Sequence, residues 1–318
     1  MVFKKMLRKL GVGGPSVDTV LTDPRVQPGG PLSGEVRLVG GDAEAEIEHI
    51  ALSLVTRVER GENGGQAQVE FHRVVVAGAT RLGAKQERAI PFTVPVPWEA
   101  PITEVGGQRL PRMDLGLRTE VSIAKAVDKG DLDPVFITPL DSQDAVLEAF
   151  GELGFHFKSA DLELGRIYGV RQELPFFQEI EFYPPAQFGG RINEVELTFV
   201  TDRGGITVIL EADKRSGMFG GGGGDFIGRF EVSHQEAATT NWAPRLHEWL
   251  DRVAQRRGNF MQQQGYGHEG GYHGGQHGRR GGGMGGIVAG AAAGVVGGMM
   301  LGDMLDGDDG GDEGGEEG

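Results

Sequence analysis

The sequence predicts an all-β protein of the antiparallel sandwich type, with a few short helices and a glycine-rich C-terminal tail that is expected to be disordered. Three observations lead to this fold class. Apolar and polar residues alternate over much of residues 16–127, which is the period of half-buried strands. Clusters rich in Gly, Pro and Asn, such as QPGGPLSG and RGENGGQ, separate these runs. No long helix alternates with the strands, so a parallel βαβ arrangement is not expected.

The strand patterns of the first half indicate which side chains face the core. In GEVRLVG, IALSLVTRVER and TEVSIAKAV, apolar residues at even spacing fall on one face of each strand and are expected to be buried: Val36, Leu38, Ile50, Leu52, Leu54, Val58, Val121 and Ile123. The segment IPFTVPVPWEAP differs because it carries four prolines, Pro91, Pro95, Pro97 and Pro101. Proline has no N–H to donate to a central ladder, so this segment is predicted to be an edge strand or a strand that leads into a loop.

The alternating pattern breaks around DKGDLDPVFITP, which predicts a domain division near Gly130. We therefore expect a first β-sandwich domain over residues 1–129 and a second over residues 130–257, with helices packed on the second. A low-complexity region over residues 258–318 contains a Gly/His-rich stretch, a segment with regularly spaced glycines and an acidic end.

The first predicted helix lies in SQDAVLEAFGELG. Asp141 or Ser142 can cap its N-terminus and Gly154 ends it. Its apolar side is formed by Val146, Phe150 and Leu153. Because this pattern follows the predicted division, the helix is expected to belong to the second domain.

Strand patterns then resume in FHFKSADLEL, LPFFQEIEFYP, INEVELTFVTD, GITVILEADKR and DFIGRFEVSH. A second helix is predicted from Trp242 to about Arg257, with Pro244 in its first turn. Its apolar residues follow the helical spacing i, i+3, i+4, i+7 and are Leu246, Trp249, Leu250 and Val253. This helix is expected to pack on the second β domain or on a partner.

Composition and charge exclude several classes of protein. The chain has no cysteine, which excludes disulfides and thiolate zinc sites and suits a reducing cytosol. Its formal net charge is −15, so it lacks the basic balance of a nucleic-acid-binding protein. The start, MVFKKMLRKLG, lacks the apolar core of a secretory signal. A cytoplasmic protein, with membrane association as an open alternative, is the expected localisation.

Several blocks in a fixed order carry a resemblance to a known family. They are VDTVL, PGGPLSGEVRLVGG, IALSLVTRVE, IPFTVPVPWEAP, EVSIAKAVDKGDLDP, LGFHFKSADLELGR, LPFFQEIEFYPP and ITVILEADKR. Together they resemble the bacterial sporulation-control family SpoOM, from about Met1 to about Gln255. The resemblance implies two arrestin-like β-sandwiches in tandem and a cytosolic, non-catalytic regulator that works by contacts with other proteins. The long glycine-rich, acidic tail departs from a minimal member, and no catalytic residue is carried over.

The residues themselves contain no catalytic, cofactor-binding or metal-binding motif that holds. GGGGDFIG has glycines in a dinucleotide-like spacing, but it runs into a strand pattern and is predicted to be an interstrand loop. His268, His273 and His277 could gather a transition metal only at the entropic cost of ordering a flexible stretch. The acids from Asp306 to Glu317 resemble a calcium loop, but a repetitive Asp/Glu/Gly tail produces such spacings by chance.

The N-terminal segment is one candidate interaction element. Phe3, Met6, Leu7 and Leu10 would share one face of a short helix, and the opposite face would carry four bases: Lys4, Lys5, Arg8 and Lys9. Such a helix could lie on a membrane surface, or it could pack on the body as an ordinary end helix. Both readings remain open from the sequence.

The second candidate is GGIVAGAAAGVVGGMMLGD, where glycine recurs every four residues at Gly286, Gly290, Gly294, Gly298 and Gly302. In a helix this spacing forms a shallow groove that lets another backbone approach closely. In water each glycine costs about 1 kcal/mol of helix propensity, so an isolated helix is not expected. Three readings stay open: a disordered or partner-induced zipper, a reversible membrane-inserting or self-associating segment, and a stable membrane span.

These observations favour a non-catalytic sporulation or developmental control protein that acts as an arrestin-like interaction scaffold. Its expected partners are proteins, with self-association through the tail and peripheral membrane contact as further expectations, and with no nucleic acid. The alternative is a membrane-associated adaptor that docks through the basic N-terminal helix and the glycine segment. No catalytic, cofactor or metal residue is predicted.

Overall fold

A computed structural model describes residues 13–60, 65–213 and 227–265 of the chain. The described part is mostly β-structure, with few helices, as predicted. The first half forms two sheets that share one hydrophobic cluster. The smaller sheet has the order β1-β3-β7, made of β1 (Ser16–Leu21), β3 (Pro31–Val39) and β7 (Glu87–Pro95).

The larger sheet begins with four strands and a short one from the first half. They are β4 (Ala45–Arg60), β5 (Gly65–Ala77), β6 (Thr80–Leu82), β10 (Leu115–Ile123) and β11 (Lys129–Pro134). Short two-residue strands complete this half: β2 (Arg25–Val26) pairs with β12 (Phe136–Ile137), and β8 (Glu104–Val105) pairs with β9 (Gln108–Arg109). All eight side chains predicted to face the core of this half are buried.

The proline-rich strand lies where its composition requires. Within the described residues β7 pairs only with β3, so it is an edge strand, as predicted. Pro91 and Pro95 therefore remove N–H groups from a strand that has a neighbour on one side. The segment after β7 leads from this edge toward the second half, where the ring of Trp98 stacks on that of His234.

The second half extends the larger sheet instead of starting a separate one. Five strands follow: β13 (His156–Leu164), β14 (Phe176–Tyr183), β15 (Val195–Thr201), β16 (Gly205–Ala212) and β17 (Ile227–Ser233). The path through this ten-stranded sheet is β11-β10-β4-β13-β14-β15-β16-β17. A single parallel bridge, Glu59 with Glu163, joins β4 to β13. The other neighbours in the second half are antiparallel.

Helices cover one face of this second part of the sheet. They are α1 (Asp141–Leu153), α2 (His234–Thr239) and α3 (Trp242–Gly265). Their apolar residues form one cluster with the inward-facing residues of β14, β15 and β16. In the described residues this core lies between one sheet and the helices. The predicted second sandwich is not confirmed.

The two predicted helices form, with differences at their ends. Gly154 ends α1 with φ 83°, as the sequence predicted. The predicted N-cap is wrong because the helix begins at Asp141, so Ser142 lies inside its first turn. The N-terminus is instead closed by Gln143, whose side-chain oxygen accepts the N–H of Leu140 at 2.9 Å. The short helix α2, which Ser233 caps, was not predicted.

The helix α3 has the predicted start and the predicted buried face. Leu246, Trp249, Leu250 and Val253 are all buried, and Pro244 lies in the first turn. It continues to Gly265, beyond the predicted end at Arg257. The helix can continue past Arg257 because the residues that follow include good helix formers such as Met261 and Gln262.

A third, smaller hydrophobic cluster joins the two halves. It contains Val58 and Met113 from the first half and Ala160, Leu162, Leu174 and Phe176 from the second. The rings of Phe71 and Phe176 meet edge to face at 5.4 Å across this junction. The cluster of the first half extends to Ile137, and the cluster of the second half begins at Val146. The predicted domain division near Gly130 stays a prediction.

Polar contacts reinforce the same junction. The buried side chain of Gln178 accepts the N–H of Ile102 at 2.9 Å and donates to the carbonyl oxygen of Ile102 at 2.7 Å. Its amide nitrogen also lies 3.2 Å from the sulfur of Met113. Nearby, the hydroxyl of Thr201 donates to the carbonyl of Trp98. Because these groups are buried and come from both halves, separating the halves would leave them unsatisfied.

Candidate interaction surface

The loop between β13 and β14 is held by one buried glutamine. The side chain of Gln172 is 6% exposed, and its oxygen accepts the N–H of Ile167 at 3.0 Å. Its amide nitrogen lies 2.8–3.0 Å from three carbonyl oxygens, those of Gly165, Leu174 and Phe176. One side chain therefore fixes both ends of the loop, and the loop conformation is over-determined by local hydrogen bonds.

The first half also binds this loop. The two carboxylate oxygens of Glu99 accept the N–H groups of Glu173 and Leu174, each at 2.7 Å. Burial raises the pKa of Glu99, although the two backbone donors favour its charged form. The loop is thus anchored to both halves of the body.

An aromatic side chain projects from this anchored loop. Tyr168 is 91% exposed, the highest exposure among the large apolar and aromatic side chains of the described residues. Gly169, at φ 72°, makes the turn directly after it and lies close to the guanidinium of Arg229 on β17. A rigid loop that holds a tyrosine in solvent presents contact area at low entropic cost, which is typical of protein-binding surfaces.

Carboxylates crowd the sheet face beneath the loop. Carboxylate oxygens of Asp161, Glu163 and Glu179 lie within 4.8 Å of one another. Glu196 and Glu211 are directly paired on β15 and β16, and together with Glu179, Ile167 and Phe177 they line a narrow slot on this face. We call these five acids, Asp161, Glu163, Glu179, Glu196 and Glu211, the acidic face. Glu179 and Glu196 are buried, and the other three are half-buried.

The acidic face can attract a cation in two ways. Carboxylate oxygens accept charge-assisted hydrogen bonds from lysine and arginine, and they also bind hard metal ions. The closest trio supplies three carboxylates, whereas Ca²⁺ takes six to eight oxygens, so these residues alone would leave most of its coordination sphere to other groups. Four of the five acids, Asp161, Glu179, Glu196 and Glu211, already take part in contacts within the protein, so a basic side chain of a partner would bind here in addition to those contacts.

A serine and a histidine in the second half lie within hydrogen-bond distance of each other, as they do in a catalytic dyad. The hydroxyl of Ser142 lies 2.8 Å from Nδ1 of His234, and Nε2 of His234 lies 2.8 Å from the carbonyl oxygen of Asp202. A nucleophile must reach its substrate, but Ser142 is 2% exposed. The stacked ring of Trp98 covers His234 at 5.6 Å. The pair therefore links α1, α2 and the turn between β15 and β16.

The candidate residues predicted from the sequence lie outside the described part of the chain. These are Lys4, Lys5, Arg8 and Lys9 in the N-terminal segment and Gly286, Gly290, Gly294, Gly298 and Gly302 in the glycine segment. The histidines and acids of the tail and the GGGGDF part of the glycine loop lie outside it as well. None of the helices in residues 13–60, 65–213 and 227–265 combines the length and apolar character of a membrane-crossing segment.

Sequence reasoning missed the Tyr168 loop and the acidic face. A partial signal was present, since acids alternate with apolar residues in ADLEL on β13 and in FQEIEF on β14. Such alternation places the acids on one face of each strand, but it does not say that the two strands are neighbours. Pairing of Asp161 with Glu179 is a property of the sheet register.

Comparisons with known proteins agree with the fold. The model of the family described as SpoOM protein matches residues 3–216. The sporulation-control protein spo0M of Bacillus subtilis (strain 168) is 30% identical over 263 residues, which cover 80% of this chain and 99% of that protein. The crystal structure of Spo0M from Bacillus subtilis superposes with a TM-score of 0.67 at 28% identity, covering 76% of this chain and 100% of that structure.

Proposed function

The chain belongs to the SpoOM family, and from this premise we propose that it is a non-catalytic control protein that acts as an interaction scaffold. The matched relative is named a sporulation-control protein, which supports a regulatory role. In this proposal the first half is an arrestin-like sandwich, the second half is a platform attached to it, and the protein works in the cytoplasm through contacts with other proteins.

The observation that carries the proposal is the position of Tyr168. Tyr168 is 91% exposed on a loop that Gln172 and Glu99 anchor to both halves of the body. An exposed aromatic side chain on a fixed backbone loses little entropy when a partner covers it. We propose that Tyr168 is the central contact of the scaffold.

The chemistry around Tyr168 defines the class of partner. The acidic face lies beside the loop, and the whole chain has a net charge of −15. A partner segment that carries lysine or arginine next to an apolar residue would complement both features. Complementary charge raises the association rate and suppresses acidic competitors, and its effect weakens with salt.

We expect Tyr168→Ala to weaken binding of the main partner protein. When the full chain is purified from cells that naturally produce it, at least about tenfold less of that partner should co-purify with the variant than with the unmodified chain. The reason is that truncation of an interface anchor costs more than about 1.4 kcal/mol of binding free energy. Quantitative mass spectrometry of the recovered proteins measures this ratio.

Tyr183→Ala is the matched control. Tyr183 is 52% exposed at the end of β14, so its removal changes an exposed tyrosine without touching the loop. The proposal fails if the Tyr168→Ala and Tyr183→Ala chains co-purify with the same proteins in the same amounts, whether or not those amounts differ from the unmodified chain.

A second candidate function follows from the two chain ends. The basic face of the N-terminal segment and the glycine period suit a membrane-associated adaptor. Fractionation of producing cells separates the candidates by comparing the full chain with a version that ends at Gln264. Material that pellets, resists high-salt and alkaline washes and is released by the truncation would support the adaptor. Equal recovery of both versions in the supernatant would support the scaffold.

A further inference from the structure

Most strand edges in the described body carry a recognisable protection against pairing with another chain. The edge strand β7 contains Pro91 and Pro95. The edge β1 lies against β11, since the N–H of Thr19 donates to Asp131 at 2.7 Å. The hydroxyl of Thr19 also contacts that of Thr119 on the neighbouring strand β10 at 2.6 Å. The bond to Asp131 occupies a backbone N–H that a foreign strand could otherwise pair with.

The long strand β5 is protected in another way. Two register shifts interrupt its pairing with β4, and bulges of this kind twist an edge away from partners. The remaining strands outside the second half's sheet have two or three residues and offer little edge.

The strand β17 differs from all of these. It has seven residues, contains no proline and pairs with β16 without a register shift. It is the last strand of the ten-stranded sheet, and no other strand among the described residues pairs with its outer edge. Its outward row contains Ile227, which is 55% exposed, and the charged residues Arg229 and Glu231, which form an ion pair with each other within the strand.

The sequence of β17, IGRFEVS, is complementary to itself in the antiparallel sense. If two copies pair about Phe230, Arg229 of each copy stands directly opposite Glu231 of the other. Opposed residues of an antiparallel pair point to the same face, so the Arg229–Glu231 pair that each chain makes within itself can be exchanged for, or joined by, two cross-strand ion pairs. A foreign strand with charges of a single sign would meet a like charge at Arg229 or at Glu231, whereas a second copy of β17 meets opposite charges at both positions.

From this pattern we propose that β17 is a homodimerisation edge at which two copies pair antiparallel about Phe230. The two ten-stranded sheets then become continuous across a twofold axis. Because Glu211 and Ile227 are directly paired, the outward row of β17 lies on the same side as the acidic face, and both acidic faces and both Tyr168 loops point to one side of the dimer. This self-association goes beyond the proposed partner contact and uses different residues.

Charge reversal tests the register. Sedimentation velocity of the full chain between about 1 and about 100 µM should show a monomer–dimer equilibrium, since one seven-residue edge makes a small interface. Arg229→Glu places acids opposite acids, and Glu231→Arg places bases opposite bases. Each single variant should dimerise at least about tenfold more weakly, because two attractive pairs become repulsive. The double variant restores both pairs and should regain dimerisation.

Mixing the two single variants tests the register most directly. An equimolar mixture of the Arg229→Glu and Glu231→Arg chains pairs acid with base at both positions, so the two weakly dimerising chains should form a heterodimer. Both side chains are partly exposed, and neither belongs to a hydrophobic cluster, so the variants should remain folded. A full chain that stays monomeric throughout the range overturns the proposal. So does self-association that both single variants retain, because the contact then lies elsewhere.

Discussion

Replacing Gln178 with leucine is expected to lower the free energy of unfolding by about 4 kcal/mol. The change leaves the N–H and the carbonyl oxygen of Ile102 without their partners in a buried junction, and each unsatisfied group costs about 1–3 kcal/mol. Leucine has nearly the same volume as glutamine, so the loss comes mainly from the polar groups. Urea denaturation of the full chain, followed by tryptophan fluorescence, measures it.

Gln187→Leu is the control for this substitution. Gln187 lies exposed in the 3₁₀ turn Ala186–Phe188, where the same chemical change should alter stability by less than about 0.5 kcal/mol. A Gln178→Leu protein within about 1 kcal/mol of the unmodified chain would contradict the role assigned to this side chain in joining the halves.

Replacing Phe150 with alanine should cost about 3–5 kcal/mol, the usual range for removing a buried aromatic ring. Phe150 is 1% exposed at the centre of the cluster between the helices and the sheet. Its ring centroid lies 4.4 Å from that of Phe155 and 4.7 Å from that of Phe182. Few neighbours can move to fill the resulting cavity, because they belong to α1 and to the paired strands.

Phe157→Ala is the matched control for Phe150. Phe157 is 40% exposed, and its ring meets that of Phe182 edge to face with centroids 6.3 Å apart, so its truncation should cost much less. Thermal unfolding by circular dichroism compares the three proteins. Similar losses in both variants would show that the second-half core is not organised around Phe150. Since the junction couples the halves, we also expect one transition in each protein.

The local elements of the fold were largely predictable from the sequence. Period-two alternation located the strands, the prolines identified β7 as an edge, and Gly154 marked the end of α1. Helical spacing identified the buried face of α3 from Leu246 to Val253. Each of these features depends on residues that are close in sequence, where backbone stereochemistry and burial of one face are decisive.

The features that were missed depend on contacts between distant residues. Ser142 resembles an N-cap, yet its hydroxyl bonds to His234, which is far away in the sequence. The junction depends on Gln178 reaching Ile102, and the acidic face depends on β13 and β14 being neighbours. No periodicity within one segment encodes these pairings. The joining of both halves into one sheet, through the bridge between Glu59 and Glu163, is another such feature.

The candidate site shows the same division. The strand patterns FHFKSADLEL and LPFFQEIEFYP left residues 165–173 as the connection between two strands, but nothing local indicated that Gln172 would fix this loop or that Tyr168 would be 91% exposed. The sequence directed attention to the chain ends, where composition is unusual. The described structure directs it to a loop of ordinary composition, because exposure and rigidity result from tertiary contacts.

Photocrosslinking at position 168 tests the scaffold most directly. A photoreactive phenylalanine analogue replaces Tyr168 in the full chain, and a second version carries it at Tyr183, in cells that naturally produce the protein. The account predicts a discrete protein adduct at position 168 that is absent at position 183 and is weakened when Asp161→Asn and Glu163→Gln neutralise part of the acidic face. No protein adduct at position 168, or the same adducts at both positions, would contradict it.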